Sequence, residues 1–331
     1  MVGILTAVES YVMSSNVRGA LFALLAFAVF STHDVIIKVL GATYSPIQIV
    51  FFSVLLSFPL ATVMLMRDST ADTLIPRHPW WLALRTGAAV VTGVSAFYAF
   101  TVLPLAQTYA IIFASPLLIT VLAIPVLGEK VGLLRWLAVL VGLIGVLVVL
   151  RPGETELSLG HLAALAAAIG GAVAAIVVRK IGADERPVVM LLYPMVVNLV
   201  VMASLLPLVY KPMPIEHLGL LAVIAAFAWT ASRLIITAYQ NGEAAIIAPM
   251  QYSQIIWATL YGSVFFDERI DQVTAIGAGI IIASGLFIVL RESRGGKSEN
   301  TPVLRSRSRA ETGTTPRVSL IMRFRGNTPP R

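Results

Sequence analysis

The sequence predicts an all-α fold, a polytopic membrane bundle of ten transmembrane helices arranged as two inverted five-helix repeats. Three observations predict it: an apolar composition with sparse charge, ten apolar runs of membrane-crossing length, and an internal repeat at an offset near 140 residues. Of 331 residues, 58% are hydrophobic and 12% charged, and the mean hydropathy is +0.87. A soluble domain carries about 25% charged residues. A spanning helix uses roughly 20 apolar residues to cross about 30 Å of hydrocarbon, so ten spans take about 200 residues and leave no soluble domain of ordinary size. The chain has no cysteine, which excludes a disulfide scaffold and a thiolate metal site.

The spans are expected at about 19–40, 46–66, 80–102, 106–127, 132–150, 159–178, 188–209, 217–240, 244–264 and 271–290. The first opens after Arg18. Residues 1–17 hold Glu9 and no basic cluster before an apolar core, so the first run reads as a retained helix rather than a cleaved signal. Breakers punctuate the connections: Arg-Pro-Gly at 151–153, Lys-Pro-Met-Pro at 211–214 and Asn-Gly at 241–242. The runs lack two-residue alternation, and lipid forbids open sheet edges, so helices are favoured over a barrel.

Charge orients the bundle. With the N-terminus in the cytoplasm, Arg18, Arg67, Arg77, Lys130, Arg135, Arg179, Lys180 and Arg186 fall inside. Lys38, Arg151, Lys211 and Arg269 fall outside. The tail after 290 adds 10 Lys and Arg against 3 acids, and an even number of spans puts it inside too. This satisfies the positive-inside rule and puts both termini on the cytoplasmic side. Residues 291–331 have the composition of a disordered segment, either a solvated topology anchor or a patch drawn to anionic membrane lipid. The tail holds the whole formal excess of +7, so the basic balance does not point to nucleic acid.

The chain repeats itself. Gly19, Leu21, Leu24, Lys38 and Gly41 match Gly160, Leu162, Leu165, Arg179 and Gly182 at an offset of 141. Glu129 meets Glu268 at 139, and Gly145 and Arg151 meet Gly285 and Arg291 at 140. The expected division is a cytoplasmic segment (1–18), a first repeat (19–150), a second repeat (151–290) and the basic tail (291–331). Five spans per copy invert the second, the architecture of many secondary transporters.

The ten-span duplicated layout, with an acidic-basic turn closing the fourth and ninth spans, resembles the EamA-type transporters of the drug/metabolite transporter superfamily over residues 19–292. His33-Asp34-Val35-Ile36-Ile37-Lys38, Ser45-Pro46-Ile47-Gln48-Ile49-Val50-Phe51-Phe52, Leu103-Pro104-Leu105-Ala106, Ala114-Ser115-Pro116-Leu117 and Arg151-Pro152-Gly153 are similar to a bacterial subgroup. That subgroup includes riboflavin and S-adenosylmethionine importers. Relatives commonly carry Arg after the two phenylalanines, where this chain has Ser53. The resemblance implies a small polar substrate bound among spans 1, 3, 4, 6, 8 and 9. It leaves export, or a non-transporting accessory role, as the alternatives.

Ionisable residues inside a membrane are functional candidates because burying them is costly. Ser31, Asp34 and Lys38 share one face of the first span, where Asp34 could pair with Lys38 and could carry a proton. Arg233 lies about 10 Å from the inner end of the eighth span, too deep to snorkel easily, and could hold an anion or neutralise a buried acid. Arg85 is nearer an interface and is expected to snorkel or to pair with Glu243. Gln251 and Gln254, with Tyr252 and Trp257, offer amides and aromatic faces suited to a flat heterocycle. Tyr98 shares a face of the third span with Thr92 and Ser95. The expected substrate-binding set is therefore Asp34, Arg233, Gln251, Gln254, Tyr98 and Trp257. Pro116 and Pro249 are expected to bend spans four and nine. Gly142, Gly145, Gly277 and Gly285 permit close packing of spans five and ten, faces on which a homodimer could also form.

No Walker loop, His-Glu-x-x-His or Gly-x-Ser-x-Gly appears, and the four histidines are scattered at 33, 78, 161 and 217. The candidate acids and bases are sparse and staggered in depth. No enzyme, no metal site and no cofactor is expected.

Overall fold

The computed structural model describes residues 2–66, 74–128, 131–151, 157–182, 184–241 and 244–294. The basic tail beyond 294, the Glu129-Lys130 landmark, Arg67, Pro152-Gly153 and Glu243 lie outside the described residues. Twelve helices follow in order among those described: α1 (Val2–Gly41), α2 (Pro46–Met66), α3 (Pro79–Val102), α4 (Leu105–Ile112), α5 (Ser115–Leu127), α6 (Leu133–Leu150), α7 (Leu159–Ile181), α8 (Pro187–Val209), α9 (Ile215–Asn241), α10 (Ala244–Ile247), α11 (Ser253–Phe265) and α12 (Gln272–Arg294). A 3-10 turn (Ala248–Tyr252) links α10 to α11. Taking α4 and α5 as one span, nine described segments are long and apolar enough to cross a membrane. The expected ninth span is the tenth segment, divided among α10, the 3-10 turn and α11.

Helix α1 begins at Val2, not near residue 19 as the apolar run predicts. Helix formation tolerates the polar residues of 9–16, and no proline interrupts the first turns. Span four breaks at Phe113–Ala114, one turn before Pro116. A prolyl nitrogen cannot donate to the carbonyl four residues earlier, and that residue is Ile112, the last of α4. Pro116 then sits in the first turn of α5, where a missing N–H costs nothing. Pro249 starts the 3-10 turn of span nine in the same way.

The repeat survives folding in detail. After the breaks, α5 and α11 each run 13 residues and each begins with serine, 138 positions apart. They end on Gly128 (φ 69°) and one residue before Asp267 (φ 52°), left-handed positions related by the offset of 139. Packing repeats as well. Helix α3 lies on α7 as α1 lies on α9, and α3 touches α8 as α2 touches α9. The pairs α6·α12 and α2·α8 are each their own counterpart. Not every relation is repeated: α1 and α2 both pack on α3, whereas among the described residues neither α7 nor α8 packs extensively on α9.

Glycines of α6 and α12 are filled from within the chain. A Cβ at Gly145 would stand 3.0 Å from the carbonyl oxygen of Gly277, and one at Gly277 2.8 Å from that of Gly145. Gly142 faces Leu117 and Ser284, and Gly285 faces the Tyr252 hydroxyl. A homodimer could not use these glycines and would need other faces of α6 and α12.

Candidate functional site

Asp34 is the centre of the buried polar chemistry. Helix α1 presents it with 0% exposure, so its charge must be met by protein groups. His33 Nδ1 lies 2.7 Å from Oδ1. The Tyr109 hydroxyl donates to Oδ2 in a short contact. Gln254 Nε2 donates to the same hydroxyl at 3.2 Å. Apolar rings seal this chain of groups: Phe97 stands edge-on to His33, while Phe100 and Phe113 flank Tyr109.

The breaks explain why these side chains meet. Tyr109 is one turn before the end of α4, and Gln254 lies in the first turn of α11. Both broken spans therefore converge on Asp34, one from each repeat. Tyr109 is absent from the expected set. Its signal in the sequence is weak, because an isolated tyrosine in an apolar span usually reads as packing. The carboxylate, imidazole, phenol and amide form a continuous path along which a proton can be accepted and its loss felt. A neutral Asp34 would gain one O–H donor while one oxygen still accepts, so one of its contacts with His33 and Tyr109 would have to change its donor and acceptor roles.

The remaining expected residues are distributed. Trp257, half-buried on α11, stacks on Tyr261 with centroids 6.1 Å apart and planes 28° apart. Thr32 of α1 donates to the Tyr261 hydroxyl at 3.1 Å. This aromatic pair thus adjoins the same α1–α11 seam as Asp34. Gln251 is half-buried in the 3-10 turn, and Tyr98 half-buried on α3. Arg233 is not brought to Asp34. It is exposed, its guanidinium 4.6 Å over the Trp229 ring, while Ala231, Ile235 and Ala238 turn the other side of α9 toward α1. Depth along the helix was legible in the sequence; angular phase in the bundle was not.

Two other cations find partners that spacing does not reveal. Lys38 pairs with Glu268 at 2.5 Å rather than with Asp34 one turn below. Arg85 donates to the carbonyl of Met190 in α8. That carbonyl lacks its helical donor because position 194 is proline, so Arg85 replaces a hydrogen bond that Pro194 cannot make. Its role is structural, and its predicted alternative partner, Glu243, lies outside the described residues.

The end of the bundle that holds residues 41–46, 103–105, 151, 157–159, 210–215 and 266–272 is tightly tied. The Gln48 amide donates to the Lys211 carbonyl at 2.7 Å and accepts from its N–H at 2.9 Å. Tyr44 bonds His217 at 2.7 Å, and Arg151 pairs with Asp271, the residue that caps α12 through Thr274. Among the described residues no cluster of three His, Asp or Glu could hold a metal ion.

Comparison with known proteins agrees with this architecture. The model of the EamA-like transporter family matches residues 17–151 and again 158–290. The S-adenosylmethionine uptake transporter of Rickettsia prowazekii is 26% identical over 292 residues, covering 87% of this chain and 98% of that protein. The pseudopaline exporter of Pseudomonas aeruginosa is 25% identical over 282 residues, 84% of this chain and 97% of the relative. A riboflavin transporter of Vibrio cholerae is 29% identical over 198 residues, 59% of this chain and 66% of that one. One crystal structure superposes with a TM-score of 0.56 at 18% identity, over 86% of this chain and 99% of its own, and speaks to the fold alone. With only helices as regular structure among its described residues, and matched by one family model in each half, the chain belongs to the EamA-like transporter family.

Proposed function

We propose that the protein is a secondary transporter that moves a small polar metabolite, vitamin-, nucleoside- or amino-acid-like, across the bacterial inner membrane by alternating access, with both termini cytoplasmic. The observation that carries this reading is the convergence of both broken spans on Asp34 through Tyr109 and Gln254. A buried carboxylate wired to the two elements most able to bend is suited to couple proton binding to a change of shape. In this reading Asp34 carries the proton, while Gln254 and Tyr109 transmit its charge state. Trp257, Tyr98 and Gln251 supply faces and an amide for the substrate. Arg233 and Trp229 offer a cation and a ring to an anionic or aromatic substituent.

Inward flux is favoured by the relatives named for S-adenosylmethionine uptake. Export is the second reading, because a relative of nearly equal identity is named an exporter. Uptake into proteoliposomes tests both. Labelled S-adenosylmethionine and riboflavin are supplied separately, with and without an imposed proton gradient. Saturable accumulation that collapses with the gradient supports coupled import and names the substrate. No accumulation of either compound by folded protein removes both substrates and turns the test to efflux from loaded vesicles.

A further inference from the structure

One cation inside the bundle holds no oxygen. Lys38 has the Leu103 carbonyl and Glu268, a carboxylate that also accepts the N–H of Leu105 at 3.0 Å. Arg85 has the Met190 carbonyl. Among the described residues, the side chain of Arg233 has only a ring: its guanidinium stands 4.6 Å over Trp229, one turn earlier in α9. A ring accepts no conventional hydrogen bond, so the N–H donors of the guanidinium fork still lack an acceptor. That fork matches the two oxygens of a carboxylate or phosphate.

The direction of the side chain decides what it faces. Arg233 lies nearer the C-terminal end of α9, which closes at Asn241. To reach the nearer headgroups it would have to extend toward Asn241. Helical side chains lean the other way, and the contact with Trp229 keeps Arg233 turned toward the middle of the span. It is nevertheless exposed. A charge at that depth without an acid stands against water rather than hydrocarbon. The rest of the face agrees. Ala222, Ala226 and Thr230, exposed in line with Arg233, are small or hydroxylic, whereas the open face of α6 carries Leu137, Leu140 and Ile144. At the repeat offset of 139 these four positions of α9 meet Ala83, Gly87, Val91 and Val94 of α3, the first three exposed as well. The two repeats leave the same helix face open, and the second adds a cation where the first has valine. Resting on the transport reading above and deepening it, we infer that Arg233, held by Trp229, is an oxyanion subsite on the substrate path, so that the transported metabolite carries a carboxylate or phosphate.

The absence of native cysteine makes a direct test possible. Thr230 lies one turn from Arg233 on the same exposed face, about 6 Å away between Cβ atoms. A Thr230→Cys reporter in the full chain is reconstituted in phosphatidylcholine vesicles. Its labelling by an anionic and by a cationic methanethiosulfonate of similar size is compared, each reagent present on both sides. Arg233 should raise the ratio of anionic to cationic labelling about tenfold over an Arg233→Gln background, and Arg233→Lys should keep that ratio. Benzoate at millimolar concentration should slow the anionic reagent, benzamide should not, and neither should act in Arg233→Gln. No reaction with either reagent would put this face against lipid and overturn the subsite. A charge preference that survives Arg233→Gln would overturn it too, as would equal slowing by benzoate and benzamide, or slowing by neither. A preference that collapses when phosphatidylglycerol replaces part of the phosphatidylcholine would assign the cation to a lipid headgroup instead of a metabolite. Thr237→Cys and Arg233→Met stand in where a first variant fails to fold. The labelling needs no transport, so a silent uptake assay leaves the subsite standing, and a failed labelling test leaves the uptake result standing.

Discussion

Tyr109→Phe removes one oxygen from the core and leaves the ring among Phe100 and Phe113. Two hydrogen bonds go with it, the donation to Asp34 and the acceptance from Gln254. A hydrogen bond to a charged group contributes about 1.5–3 kcal/mol and a neutral one about 0.5–1.5 kcal/mol. The 3.2 Å contact from Gln254 belongs at the lower end. Water cannot easily repair the loss at a carboxylate with 0% exposure, so the expected cost is about 2–4 kcal/mol. Thermal unfolding of the purified protein in detergent should show a Tm lower by about 3–6 °C. The decisive comparison is the same change in an Asp34→Asn background, where the acceptor is uncharged. There Tyr109→Phe should cost only about 1 kcal/mol, a coupling of about 1–2 kcal/mol between the two positions. A cost below about 0.5 kcal/mol in the parent, or equal costs in both backgrounds, would refute the network.

Three further outcomes are expected. Asp34→Asn should keep the protein inserted yet make counterflow of labelled substrate insensitive to an imposed proton gradient; gradient-driven accumulation that persists would remove Asp34 from the coupling step. Gly285→Ala should destabilise by about 1–3 kcal/mol, because its methyl would meet the Tyr252 hydroxyl at 1.7 Å, and adding Tyr252→Phe should return part of that in a thermal shift assay. Asp267→Gly should raise the unfolding midpoint slightly, since relief of a left-handed aspartate at φ 52° amounts to about 1 kcal/mol less the entropy of glycine; a lower midpoint would mean that the Asp267 side chain holds the turn.

The spans were legible because apolar runs of membrane length have few alternative uses, and the repeat because charged landmarks such as Lys38 and Arg179 stand out in a chain of Leu, Ala and Gly. Pro116 and Pro249 announced the bends of spans four and nine. Their position was less obvious, since a proline acts on the carbonyl four residues earlier and then joins the helix that follows. Asp34 was legible as a buried acid, and Gln254 as one of a pair of amides. Tyr109 was not, because its role depends on a contact 75 residues away in sequence. Arg233 and Arg85 show the same limit. Depth can be counted along a helix, but the direction a side chain faces is set by neighbours that the local sequence does not name.

Glu268 also bears on how the chain is made. The first turn of α4 finds a cap for its N-terminal amide 163 positions further along the chain, in the opposite repeat. At about 5–20 residues per second, the ribosome delivers that carboxylate roughly 10–30 s after Leu105 has emerged. Throughout that interval Lys38 too is without its acid, and the first five spans wait in the bilayer as an unfinished half. A chain cut between the repeats would therefore yield two pieces whose Leu105 amide and Lys38 regain their acid only on reassociation.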